Sequence, residues 1–275
     1  MTPDGRAENG RGALTSTEVH DRFWLRPKWV VGHVICLLLV VLFVNLGFWQ
    51  LRRLDEKQAA NATIETRGAL PVEPVNRVIA TTPPDELAYR RASATGRYDV
   101  AGEVLIRFRS LNEVPGRHVL TPMVLDDGTA LAVNRGFLPD SVTGTPPPPA
   151  GEVEVVGLLL PSQQRQGLGP TDPTGGRLTE LARADLGRLQ QQYDRPLLPV
   201  YLQLERQAPP SGDGPTLLPP PETSEGPHLG YAGQWFLFAL VGAVGWPLLL
   251  RRTAAEQRRA PPPDRTDEER VPAEV

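Results

Sequence analysis

The sequence predicts an α+β membrane protein: two terminal transmembrane helices flank a mainly antiparallel β domain that carries one short helix. Three observations carry that prediction. Residues 29–49, WVVGHVICLLLVVLFVNLGFW, and 231–250, YAGQWFLFALVGAVGWPLLL, are apolar runs without a charge. At 1.5 Å per helical residue, each reaches roughly 30 Å, the thickness of a hydrocarbon core. The stretch between them is polar and broken into short, alternating apolar segments separated by turn residues. Lys and Arg are unevenly placed around the second run: residues 215–230 have none, whereas Arg251, Arg252, Arg258 and Arg259 follow it.

That asymmetry sets the orientation, because basic residues accumulate on the cytoplasmic side of a span. The second helix ends in the cytoplasm. The first is ambiguous by itself, with Arg22, Arg26 and Lys28 before it and Arg52, Arg53 and Lys57 after it. Two crossings then place both termini in the cytoplasm and the central domain outside a bacterial plasma membrane. The expected organisation is a disordered tail at 1–28, a first span at 29–50, an extracytoplasmic domain at 51–227, a second span at 228–250 and a disordered tail at 251–275. A cleaved signal peptide fits poorly, since the first run is longer than an h-region and no A-x-A site follows.

Within the domain, residues 51–65 favour a helix continuing the first span until Gly68 and Pro71 stop it. Residues 89–98 and 103–109 read as a hairpin. So do 119–125 and 130–137, with Asp126-Asp127-Gly128 supplying a positive-φ turn residue. A strand is expected at 152–160, a loop at 162–176, a short helix within 181–192 and a last strand at 200–204. Residues 208–227 are proline-rich and read as an extended linker returning the chain to the membrane.

Composition removes several function classes. The single cysteine, Cys36, lies in the first apolar run, so the outer domain must hold together without a disulfide. Met123 is that domain's only methionine, which leaves no soft-ligand cluster for copper, iron–sulfur or structural zinc. A net charge of −3 and no long basic block argue against nucleic acid as a partner. No H-E-x-x-H, G-x-S-x-G, P-loop or G-x-G-x-x-G occurs, so a hydrolase or nucleotide-binding reading has no specific support. An anchored enzyme or ligand sensor would need polar groups such as Arg90, Glu103, Arg107 and Arg109 to converge, while strand alternation explains them as a solvated face.

The chemistry gathers where the two spans meet the outer surface. An antiparallel pair brings Trp49, Gln50 and Arg52 to the depth of His228, Tyr231 and Trp235. The last three share one helix face at i, i+3 and i+7. An imidazole beside aromatic rings, with a nearby arginine, suits a flat amphiphilic macrocycle such as haem: His228 as ligand to the iron, Arg52 as partner to a propionate. A solvated histidine among ordinary interfacial aromatics has the same sequence signature. His33, inside the first run, is the rival ligand, although a hydrogen bond between helices or contact with the cytoplasmic interface also accounts for it. His118 reads as structural. Ala239, Gly242, Ala243 and Gly245 would let the helices approach closely.

Five segments in order, GFWQLRRLDEK, YRRASATGRY, TPMVLDDGTALAVNRGFLP, VYLQLE and PHLGYAGQWFLFAL, resemble the Surfeit-locus family of cytochrome c oxidase assembly factors, the family named for the first gene of that locus. NRGFLP is similar to the family's N-R-G-W-V-P, and HLGYAGQWF to its H-x-x-Y-x-x-Q/T-W-F. The resemblance implies a non-enzymatic membrane factor that assists haem a delivery to the catalytic subunit, subunit I, of the oxidase. His228 would be the haem ligand, Trp49, Gln50, Arg52, Tyr231 and Trp235 its surroundings, and haem a synthase a candidate donor. A structural chaperone that clamps oxidase subunits without holding haem is the alternative. Two departures stand out: Gly226-Pro227 replaces a pair of asparagines often found before the histidine, and the tryptophan-lysine that follows the first helix's WQL-x-R is absent.

Overall fold

The computed structural model describes residues 23–259 except 166 and 168. In chain order the elements are α1 (Pro27–Gly68), β1 (Glu73–Pro74), α2 (Val75–Thr81), β2 (Arg91–Tyr98), β3 (Val104–Leu111), β4 (Val114–Leu125), β5 (Ala130–Pro139), β6 (Val153–Pro161), β7 (Glu180–Leu181), α3 (Leu186–Gln190), β8 (Leu197–Ala208) and α4 (His228–Arg259). The chain forms two units, one ending at Leu54 and resuming at Gly226, the other Asp55–Glu225. Most of the two tails predicted to be disordered lies outside the described residues.

In the first unit, α1 and α4 pack antiparallel. Glycines on one helix seat large rings of the other: a Cβ at Gly32 would meet the Trp246 ring at 2.6 Å, and one at Gly47 the Phe236 ring at 2.6 Å. Ala232 and Ala239 are buried, and Gly242 faces Val40 and Cys36. Ala243 and Gly245 point away and are exposed, so the close approach uses only half of the predicted small-residue set. Leu37, Leu38 and Val241 on the outer faces are more than 60% exposed, as lipid-facing side chains are. With Arg251, Arg252, Arg258 and Arg259 closing α4, the chain is a multi-pass membrane protein, its termini cytoplasmic and its β domain extracytoplasmic.

The second unit is built on a ring of five strands. β2 pairs with β6, β6 with β8, β8 with β5, β5 with β4, and β4 returns to β2 through Gly96↔Leu125 to Tyr98↔Met123. β3 and β7 extend the sheet from β4, and β1 extends it from β2. Inward alternation fills the ring with Ala92, Ala94, Met123, Leu125, Leu131, Val133, Val155, Leu202 and Leu204. Val75 and Val78 of α2 and Leu87 join that core. A second cluster, with Val104, Ile106, Leu120, Leu186 and Leu189, packs α3 against the opposite face of the sheet.

Three sequence expectations change. Segments 89–98 and 103–109 do not pair: a 3-10 turn at Val100–Gly102, capped by the Asp99 carboxylate accepting from the Ala101 N–H at 3.1 Å, turns the chain away. The hairpins are instead β3–β4 and the predicted β4–β5. The β3–β4 turn, Asn112-Glu113, takes φ of 49° and 65° without a glycine to announce it. β8 is longer than predicted and enters the ring parallel to β5. Helix α2, sequence VNRVIAT, is rich in β-branched residues, and burial of Val75 and Val78 outweighs its weak propensity. The predicted stop at Gly68, the Gly128 turn at φ +80° and a short helix within 181–192 are all present.

Candidate functional site

Where α4 begins, the Pro227 carbonyl accepts from the Tyr231 N–H at 3.1 Å, so Pro227 caps the helix and His228 opens it. Gly226, at φ +71°, makes the bend that precedes it. The His228 Nδ1 lies 2.9 Å from the Oε1 of Gln50, a buried amide on α1. An amide oxygen only accepts, so this contact takes the Nδ1–H as donor, and in the neutral ring that tautomer leaves the lone pair on Nε2.

The predicted neighbours divide into two sets. Trp235 stacks on Phe43 at 5.6 Å between centroids and 26° between planes, with Phe238 edge-on to Trp235 and tilted against Phe43. It serves the packing of the helix pair. Trp49 and Tyr231 are 47% and 48% exposed, and Arg52 is exposed. The geometry therefore joins Gln50 to His228 directly, holds Trp235 in the helix interface, and leaves Trp49, Tyr231 and Arg52 presented at the surface of the pair.

His33 is fully engaged. Its Nδ1 accepts from the Trp246 indole N–H at 2.7 Å and its Nε2 lies 3.2 Å from the Trp24 carbonyl. Both ring nitrogens being occupied, the residue is the interhelical hydrogen bond its position suggested, with no lone pair left for a metal. His118 in the β domain lies beside Asn134 at 3.4 Å and against the Phe137 ring. Burial, with the Arg109 charge a lesser cause, pushes its pKa down to about 4, so it is neutral and structural.

NRGFLP carries a role that sequence reasoning missed. Arg135, 1% exposed, donates to the Glu103 carboxylate at 3.1 Å and to the Pro146 carbonyl at 2.8 Å, and its guanidinium lies 5.7 Å from the Tyr98 ring. The following Gly136, at φ +132°, lets the return segment approach: a Cβ there would stand 2.3 Å from the Thr216 carbonyl, beside paired Phe137–Thr216 backbone bonds. A polar pair inside the apolar alternation ALAVNRGF was the available signal. The charges considered for an enzyme do not converge. Arg90 pairs with Glu73, Arg107 with Asp172 and Glu103 with Arg135, which leaves Arg109 on neutral oxygens. Among the described residues, no group of three or more His, Cys, Asp or Glu could hold a metal ion.

An antiparallel helix pair with a polar contact at the start of its second helix, anchoring a ring-closed sheet free of disulfides, defines a two-span membrane protein with an extracytoplasmic β domain. The chain belongs to the SURF1 family, whose model matches residues 37–240. It is 27% identical over 256 residues to a SURF1-like protein of Mycobacterium tuberculosis (strain H37Rv), covering 88% of this chain and 92% of that one. It is 30% identical over 171 residues to Surfeit locus protein 1 of Xenopus tropicalis, covering 54% and 52%. Against the cytochrome oxidase assembly protein SHY1 of Saccharomyces cerevisiae it is 29% identical over 152 residues, covering 51% and 38%.

Proposed function

We propose that this protein is a non-enzymatic assembly factor for haem-copper cytochrome c oxidase, and that it holds haem a in transit to subunit I. Family membership and the likeness to an oxidase assembly protein support the assembly role. The observation that carries the haem reading is the His228–Gln50 hydrogen bond. A porphyrin already gives iron four nitrogens, so one neutral imidazole with an available lone pair completes a transient site. Gln50 selects the tautomer and orients the ring, as partners of metal-bound histidines do. Trp49 and Tyr231 supply apolar surface for the macrocycle and Arg52 a charge for a propionate, while Trp235 fixes the helix pair beneath them. In this reading residues 29–50 and 228–250 are the spans, residues 51–227 face outward, and haem a synthase is the donor.

The test is the absorption spectrum of the full chain purified from cells that make haem a, beside His228→Ala and Gln50→Leu. His228→Ala is expected to abolish the bound-haem bands, and Gln50→Leu to weaken retention about tenfold or more, within the range for a lost orienting partner. Unchanged bands in His228→Ala remove the ligand assignment. A deletion strain whose oxidase subunits carry normal haem yet fail to associate would favour the purely structural chaperone.

A further inference from the structure

Among the described residues, four other than glycine have positive φ: Tyr89 at 68°, Phe108 at 60°, and the hairpin pair Asn112 and Glu113. The hairpin explains the last two. Tyr89 sits in the turn that the Arg90 N–H closes on the Leu87 carbonyl at 3.2 Å, Phe108 belongs to no turn, and both line one cleft of about 810 Å³ in the β domain, a volume within the range of small-ligand sites. Backbone held in a sparsely populated region at a cleft marks a place whose side chains are aimed rather than merely packed. At Phe108 the aiming device is visible. The β3–β4 register shifts between Ile106 and Arg109, which breaks the alternation and leaves Phe108 71% exposed beside Arg109.

The cleft is basic without compensation. Arg109 and Arg183 line it, and no carboxylate does among the described residues. Arg109 donates only to the neutral oxygens of Gln163, at 3.3 Å, and Ala182, at 3.4 Å; Arg183 donates to the Pro170 carbonyl at 2.6 Å. Elsewhere in the domain Arg77, Arg90, Arg91, Arg107, Arg117 and Arg135 each pair with a carboxylate. A guanidinium has five N–H donors, and the acceptors that Arg109 and Arg183 meet here are neutral oxygens. The Tyr201 hydroxyl accepts from Gln163 at 3.1 Å and keeps its own proton to donate, burial having pushed its pKa up to about 12.

We propose that this cleft is a second binding site, for a small organic anion with an apolar body and carboxylate groups. Arg109 and Arg183 would hold the carboxylates, Phe108 and Tyr89 the body, and Tyr201 would add a donor. The site involves neither His228 nor Gln50, so its failure would leave the haem reading untouched.

The experiment titrates the full chain, in nanodiscs of phosphatidylcholine, with the fluorescent dianion 2,6-naphthalenedicarboxylate. Saturable binding is expected, weakened at least about tenfold in Arg109→Gln/Arg183→Gln, since charge-assisted bonds to carboxylate are the strong ones. Phe108→Ala, an exposed position that cannot disturb the core, is expected to weaken it about threefold. Arg91→Gln, which alters a pair outside the cleft, is expected to bind as the parent does. Equal affinity in the double variant and the parent, non-saturable uptake, or displacement by inorganic phosphate at the same concentration as by unlabelled dicarboxylate would each overturn the proposal.

Discussion

Replacing Arg135 by methionine tests whether the NRGFLP segment is a structural clamp. Arg135 is 1% exposed, and its Glu103 partner keeps only 12% of its side-chain surface. In Arg135→Met the volume is roughly kept, while Glu103 still accepts from the Thr121 hydroxyl at 2.7 Å and the Pro146 carbonyl loses the Arg135 donor. Removing one member of a buried pair costs about 3–5 kcal/mol. In a domain of this size that is a fall in Tm of roughly 10 °C. The double variant Arg135→Met/Glu103→Gln removes both charges and leaves a neutral amide beside Thr121. It should be more stable than the sum of its singles by about 2 kcal/mol. Near-UV circular dichroism of the full chain in a mild detergent, followed through thermal unfolding, supplies all four corners of the cycle. An Arg135→Met protein within about 1 kcal/mol of the parent, or a double variant as damaged as the two singles together, would refute the clamp.

His118 should make the domain acid-sensitive. Its folded pKa, about 4, lies below the unfolded 6.5, so between those values the unfolded chain takes up a proton that the folded one refuses. Stability is therefore complete above about pH 6.5 and declines as pH falls toward 4, with a ceiling of about 3 kcal/mol and about 1–2 kcal/mol once partial exposure is allowed for. His118→Gln should flatten the unfolding profile across that window; an unchanged slope would show that other groups set it. Gly136→Ala should force the return segment off β5, since its Cβ would meet the Thr216 carbonyl at 2.3 Å at a φ of +132°. Protease cleavage within residues 209–221 should accelerate, whereas Gly128→Ala, with open space around it, should leave that cleavage rate unchanged. Loss of bound haem in His228→Ala and of dicarboxylate binding in Arg109→Gln/Arg183→Gln complete the set.

Much of the architecture was legible because it is written in local chemistry. Two uncharged runs long enough for a bilayer, Asp126-Asp127-Gly128 at a tight turn and Gly68 at a helix end each constrain their own neighbourhood. What could not be read is the pairing of segments far apart. Nothing in residues 89–98 says that they bond to 153–158 rather than to the nearest strand, since a three-residue turn capped by Asp99 decides it. β8 alternates in the same way whether it runs parallel or antiparallel to β5. At the helix ends, spacing placed His228, Tyr231 and Trp235 on one face, and the structure adds how they differ: one joined to Gln50, one stacked inward, one half exposed. The cleft was illegible because its signal is a broken alternation at Phe108, which a periodic reading passes over as an irregular strand.

The position of β8 also bears on how the domain is made. It is the last strand of the ring in sequence and the middle one in space, wedged between β5 and β6. Until residues up to Ala208 have crossed the membrane, those two earlier strands each display an unbonded margin, and no rearrangement among the strands already exported can supply the missing member. An interrupted export would strand a sticky, half-zipped sheet at the cell surface. Completion thus waits on the segment leading directly back into α4, so that closing the globule and inserting the second span belong to one late event.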